Sequence, residues 1–100
     1  MLKQLETYDW QEAFEYAEFD REDVVEIIHM IEGENDGDEW CGVFLLKDGR
    51  YGTLHAGCDY TGWDCQAGGD SFIANDLRTA ILGGLNEYDR KRLGIDTDSL

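Results

Sequence analysis

Positively charged residues are scarce in this 100-residue sequence, where eight Lys and Arg stand against 23 Asp and Glu and leave a formal net charge of −15. Phosphate groups require a basic surface, so the charge argues against nucleic acid or an anionic membrane as a direct partner. The sequence also lacks an apolar run near the roughly 20 residues of a membrane-spanning helix, and its first residues lack the apolar stretch of a signal peptide. We therefore expect a soluble, cytoplasmic protein.

The length predicts a single domain over residues 1–100, because a chain of this size buries enough surface for one hydrophobic core but not for two. The acidic excess is concentrated in the N-terminal part of the sequence. Residues 1–40 hold fourteen carboxylates against Lys3 and Arg21, a net charge of −12, whereas residues 41–100 have a net charge of only −3. Self-repulsion of this size costs stability, which predicts either a surface that binds a partner or a medium that screens the charge.

Two acidic helices are predicted in the N-terminal part. Asp9 begins the first, and its apolar positions recur at helical spacing: Trp10, Ala13, Phe14 and Ala17. A second start signal lies at Asp20 with Asp23, and the next apolar stripe, which should end near Gly33, consists of Val24, Ile27, Ile28 and Ile31. Carboxylates should then occupy the outward faces, which makes partner-binding candidates of Glu12, Glu15, Glu18, Glu22 and Glu26.

The middle of the chain has strand composition. Residues 39–46 and 51–56 are rich in aromatic and branched side chains, and Asp48-Gly49 between them is a strong hairpin signal. Residues 71–74 read either as a short third strand or as the lead-in to a helix. Asn75 or Asp76 should cap a third helix, and Asn86 should begin a last short helix that ends at Gly94.

The fold class that follows is α+β, with a small antiparallel sheet packed against N-terminal and C-terminal helices. Residues 96–100 should form a frayed tail. The predicted core consists of Trp10, Phe14, Val24, Ile27, Ile28, Ile31, Val43, Leu45, Leu54, Phe72, Ile73, Leu77 and Ile81.

The loop at residues 57–66 is the densest cluster of functional side chains. It is either a structural loop that seals the core or a contact surface, and Tyr60 and Trp63 are its partner-binding candidates. The run Asp-Tyr-Thr-Gly-Trp-Asp-Cys-Gln at 59–66, together with the segments 33–37 and 46–50, resembles small acidic proteins of bacterial and phage genomes. The resemblance implies an accessory protein of a phage or mobile element and carries no assigned activity.

Zinc is the sharper hypothesis for the cysteines. Cys41, His55, Cys58 and Cys65 supply the ligand types of a tetrahedral site, and two residues separate His55 from Cys58, as in many zinc sites. The six-residue gap between Cys58 and Cys65 does not fit the usual pair spacing. A disulfide across that gap would be reduced in a cytosol and would leave Cys41 unpaired, so free thiols are the alternative.

Calcium and catalysis have weaker support. Glu32, Glu34 and Asp36 imitate the first positions of a helix-loop-helix calcium loop, but Val43 stands where a bidentate glutamate is needed. Cys58 or Cys65 with His55 and an aspartate would supply a nucleophile, a base and an orienting group, although nearness in sequence says nothing of their geometry.

The composition therefore predicts a non-enzymatic, acidic protein-binding module. Carboxylates at helical intervals can imitate a row of phosphates, so such a module could occupy a basic nucleic-acid-binding protein by charge mimicry. Two alternatives stay open. One is a small metal-binding or enzymatic domain that uses the cysteine loop, and the other is a solvated acidic protein adapted to high salt.

Overall fold

Four strands form one antiparallel sheet in the order β1-β2-β3-β4, with β1 at Val24–Ile31, β2 at Trp40–Leu46, β3 at Tyr51–Gly57 and β4 at Gly68–Ala74. The computed structural model describes residues 1–64 and 66–100. Helices α1 (Tyr8–Ala13), α2 (Leu77–Gly84) and α3 (Glu87–Arg92) flank the sheet. The predicted α+β class is confirmed, and residues 71–74 belong to a strand.

The central hairpin forms where the sequence predicts it. Strands β2 and β3 pair from Trp40 opposite Ala56 to Leu45 opposite Tyr51. In the turn, Gly49 has a φ of +88°, a conformation that glycine adopts without steric cost. The Asp48 carboxylate accepts hydrogen bonds from the backbone N–H and the guanidinium of Arg50, which lower the pKa of Asp48.

The second predicted helix is wrong, because its residues form strand β1. Five of the eight residues in Val24–Ile31 are β-branched, which favours a strand. Two irregularities in the pairing with β2, between Val24 and Glu26 and between Ile27 and His29, each insert an extra residue. The side chains on one face consequently recur every three residues, at Val24, Ile27 and Met30. That spacing imitates the i, i+3 pattern of a helix.

The first helix is shorter than predicted and begins earlier. Thr7 caps α1, since its hydroxyl oxygen accepts a hydrogen bond from the backbone N–H of Trp10 at 3.3 Å. A 3-10 helix at Phe14–Tyr16 continues it. The start signal at Asp20 and Asp23 belongs to another 3-10 helix, Arg21–Asp23, which leads directly into β1.

Both C-terminal helices start as predicted. Asp76 caps α2 by accepting from the backbone N–H of Thr79, and Asn86 caps α3 by accepting from that of Asp89, each at 2.8 Å. Gly94, with a φ of +74°, follows the end of α3. The predicted frayed tail instead contains a 3-10 helix, Thr97–Ser99, and the carbonyl of Leu100 accepts a hydrogen bond from Arg78.

Each face of the sheet carries its own hydrophobic cluster. The larger cluster joins the sheet to the N-terminal segment and to the 57–64 loop, and at its centre Phe44 packs edge-on against Trp10. The smaller joins Val43 to Ile81 and Leu85 of the C-terminal part. We call these the N-terminal face and the C-terminal face. None of the helices in the described part of the chain is long and apolar enough to cross a membrane.

Burial agrees with the predicted core only in part. Six predicted residues are buried: Trp10, Phe14, Val24, Val43, Leu54 and Ile81. Six more are half-buried, and Phe72 is 36% exposed at the edge of the sheet. The prediction missed large buried side chains that include Leu5, Phe19, Trp40, Phe44, Leu46 and Trp63.

Candidate functional site

The predicted acidic surface does not consist of two helix faces. Glu12 is half-buried on α1, and Glu15 is exposed on the following 3-10 helix. Glu26 lies on the edge strand β1 and not on a helix. Glu18 is exposed between the 3-10 helices Phe14–Tyr16 and Arg21–Asp23. Glu22 is exposed within Arg21–Asp23.

Two of these predicted residues, Glu15 and Glu22, nevertheless lie in one surface hollow. Glu15, Asp20 and Glu22 line a cavity of about 460 Å³ together with the apolar side chains of Phe14 and Ala17. We call it the acidic hollow; its other lining residues are Met1, Gln11 and Arg21. Arg21 also donates a hydrogen bond of 2.9 Å to the carbonyl of Leu5. The hollow therefore combines three carboxylates and one guanidinium with a smaller apolar area.

Internal ion pairs leave most of the N-terminal charge uncompensated. Within the described residues, Asp38 and Glu39 are the only carboxylates of positions 1–40 that take part in ion pairs, with Arg92 and His55 respectively. None of the fourteen carboxylates is buried. The negative charge of residues 1–40 is consequently directed at solvent.

The two aromatic candidates of the loop lie in opposite environments. Tyr60 is 78% exposed. Trp63 is only 9% exposed, its ring packs against Trp40 with centroids 5.0 Å apart, and its Nε1 donates a hydrogen bond of 3.0 Å to Asp9 Oδ1. The prediction of Trp63 as a contact residue therefore fails, because its indole belongs to the core.

The structure divides the predicted zinc ligands. Cys41 and His55 are neighbours across β2 and β3. Cys58 is buried elsewhere, and its thiol donates a hydrogen bond of 3.2 Å to the Asn35 side chain. Cys65 lies outside the described residues. Among the described residues, no group of three or more metal-ligand side chains contains Cys41, Cys58 or the acids at 32–36.

One group of ligand side chains does converge, and the sequence prediction missed two of its three members. Glu39, His55 and Asp89 each bring one ligand atom to within 4.8 Å of the others. Glu39 precedes β2, His55 lies on β3 and Asp89 lies on α3, so the three meet where α3 approaches the C-terminal face. We call this set the Glu-His-Asp cluster.

Hydrogen bonds hold the cluster in place. His55 Nδ1 lies 3.1 Å from Glu39 Oε2. The Arg92 guanidinium donates hydrogen bonds to the backbone carbonyls of Glu39 and Glu32, at 2.7 and 3.2 Å, and so ties α3 to the sheet. Its Nη1 is 4.0 Å from Asp89 Oδ1. Burial, followed by the charge of Asp89, raises the pKa of the neighbouring Cys41 thiol, which keeps this thiol protonated.

Two members of the cluster belong to the predicted hairpin, but its register was not predicted. In the structure Cys41 pairs with His55, and Glu39 falls two residues before Cys41 on the same side of the strand. Asp89 carried no such signal, since its position three residues after Asn86 identified it only as part of a helix start.

The comparisons with known proteins add no relative. The chain matches no protein-family model, no curated protein sequence and no solved structure.

Proposed function

We propose that this chain is a non-enzymatic, acidic protein-binding module whose acidic hollow receives basic side chains of a partner protein. The observation that carries the proposal is the convergence of Glu15, Asp20 and Glu22 on one cavity with Phe14 in its wall. Lysine and arginine have an aliphatic stem and a charged end. A hollow lined by three carboxylates and by Phe14 and Ala17 offers contacts to both parts.

The surrounding charge supports the same partner chemistry. A molecule with a net charge of −15, most of it carried by the first 40 residues, attracts a basic surface before contact and accelerates association. A nucleic-acid-binding protein offers such a surface. We therefore propose that the partner is a nucleic-acid-binding protein and that the module occupies its binding face by charge mimicry. The resemblance of the 59–66 loop to small acidic proteins of bacterial and phage genomes is in keeping with an accessory role of this kind.

The proposal is tested with a pair of variants of equal charge. Glu15→Gln/Glu22→Gln removes two carboxylates of the hollow, and Glu32→Gln/Glu34→Gln removes two exposed carboxylates elsewhere. Immobilised wild type and both variants are exposed to bacterial lysate at low salt, and each captured protein is quantified by mass spectrometry. The affinity of each is then remeasured with purified components.

The expected result is a partner whose affinity falls about tenfold or more in the hollow variant, since each lost charge-assisted contact is worth about 1.5–3 kcal/mol. The control variant should lose much less, and a DNA duplex should compete with the module for the partner. Equal losses in the two variants would show attraction to charge without a site. If DNA does not compete with the module for the partner, the proposal of charge mimicry is wrong.

A further inference from the structure

We propose that the Glu-His-Asp cluster binds a divalent transition-metal cation of the zinc type, with Glu39, His55 and Asp89 as its protein ligands. The inference is independent of the acidic hollow, which lies on the N-terminal segment. It also replaces the cysteine-based ligand set that the sequence suggested.

The spacing of the three ligand atoms is close to that of a metal site. Zinc binds imidazole nitrogen and carboxylate oxygen at about 2.0–2.2 Å in tetrahedral geometry, so two ligands of one ion lie about 3.3 Å apart. His55 Nδ1 and Glu39 Oε2 are already 3.1 Å apart. All three ligand atoms lie within 4.8 Å of one another, so Asp89 has to move closer by at most roughly 1.5 Å.

Asp89 supplies a second observation that points to a ligand. The residue is 2% exposed, and its Oδ2 has no hydrogen-bond partner among the described residues. A buried carboxylate oxygen without a partner is costly, and such groups are normally paired or coordinate a metal. Because Asp89 belongs to the group that converges with His55 and Glu39, a cation between the three would satisfy it.

The surroundings decide which cation fits. One imidazole and two carboxylates form a mixed nitrogen and oxygen set, which suits zinc and its first-row neighbours better than calcium or magnesium. The Arg92 guanidinium offsets one of the two carboxylate charges, but it is held by backbone carbonyls and leaves Oδ2 without a donor. The side chains of His55 and Glu39 are 27% and 37% exposed, so water can complete the coordination.

Calorimetric titration of the full chain with ZnCl₂, together with native mass spectrometry, tests the site. We expect one ion per chain. His55→Gln and Glu39→Gln should each weaken binding more than about tenfold, because loss of even a group that supports a ligand costs 10–100-fold. The matched controls His29→Gln and Glu34→Gln should bind as the wild type does. Circular dichroism shows whether each variant is folded.

Spectra of the wild type test the same site without any substitution. On addition of Zn²⁺, the NMR signals of the His55 ring should shift while those of His29 stay in place. Co²⁺ should give the weak visible bands of nitrogen and oxygen ligands. Absence of a bound ion, unchanged affinity in His55→Gln and Glu39→Gln, or an intense thiolate-to-cobalt band would each overturn the proposal, the last in favour of cysteine ligands.

Discussion

The indole Nε1 of Trp63 donates a hydrogen bond of 3.0 Å to Asp9 Oδ1, across 54 residues of sequence. The bond joins the 57–64 loop to helix α1, and both pack on the N-terminal face of the sheet. The loop is thereby fixed by a core tryptophan, while the adjacent Tyr60 remains exposed.

Removal of the Asp9 carboxylate should leave the buried Trp63 N–H unpaired. We expect Asp9→Ala to lower the free energy of unfolding by about 1–3 kcal/mol, measured by urea denaturation. In a Trp63→Phe background, which has no N–H to satisfy, the same change should cost much less. Asp64→Ala, an exposed acid next to Trp63, is the control and should have little effect. Equal effects of Asp9→Ala in both backgrounds would contradict the role of the bond.

Gly84 allows α2 to approach the sheet closely. A Cβ atom at this position would lie 2.9 Å from Thr53 Cβ and 3.0 Å from Phe72 Cβ. Gly→Ala within a helix usually stabilises by about 1 kcal/mol. Here we expect Gly84→Ala to destabilise by about 1–3 kcal/mol through overpacking, as shown by a lower urea midpoint. As a control, Gly68→Ala should change stability little, because its Cβ would contact nothing within 4 Å. A Gly84→Ala protein more stable than the wild type would contradict the close approach of Gly84 to Thr53 and Phe72.

The Cys41 thiol predicts a loss of stability in alkali. Burial and then the Asp89 charge raise its pKa above the ordinary value of 9.0. Above that pH the unfolded chain loses the thiol proton while the folded chain keeps it. The stability that the buried, protonated thiol contributes to the fold is therefore complete below pH 9.0 and is lost as the pH rises. Unfolding free energy should fall by up to about 1.4 kcal/mol per pH unit.

Urea denaturation under reducing conditions between about pH 8 and 10 measures this slope. Cys41→Ala should be less stable overall. Its unfolding free energy should fall less steeply with pH, by up to about 1.4 kcal/mol per pH unit, which is what one proton contributes. An unchanged slope in this variant would assign the alkaline loss to other groups.

The uncompensated carboxylates predict that salt stabilises the fold. Added NaCl shortens the Debye length from about 30 Å at 0.01 M to about 10 Å at 0.1 M, which weakens self-repulsion. The thermal midpoint of the wild type should therefore rise with salt. Glu15→Gln/Glu22→Gln/Glu26→Gln should flatten this dependence, and Lys47→Gln, which adds to the negative excess, should steepen it. Equal salt slopes for all three proteins would show that repulsion does not limit stability.

Prediction from sequence worked where the signal was local. Asp48-Gly49 identified the β2–β3 hairpin, Asn75 or Asp76 was predicted to begin the third helix, and Asn86 was predicted to begin the last one. It failed at Val24–Ile31, because two bulges change the spacing of one strand face from two residues to three. The candidate site shows the same division: the hairpin that carries Glu39 and His55 was predicted, whereas nothing near Asp89 in the sequence places it against the sheet.

The sequence alone determined the acidic excess, the central hairpin and the two C-terminal helix starts, because charge adds up residue by residue and turns and caps depend on neighbouring residues. Only the tertiary structure decided that β1 is a strand, that Trp63 is buried, and that Asp89 joins Glu39 and His55. These features depend on which surfaces of distant segments pack together, and burial determines whether a side chain faces water, a core or a ligand.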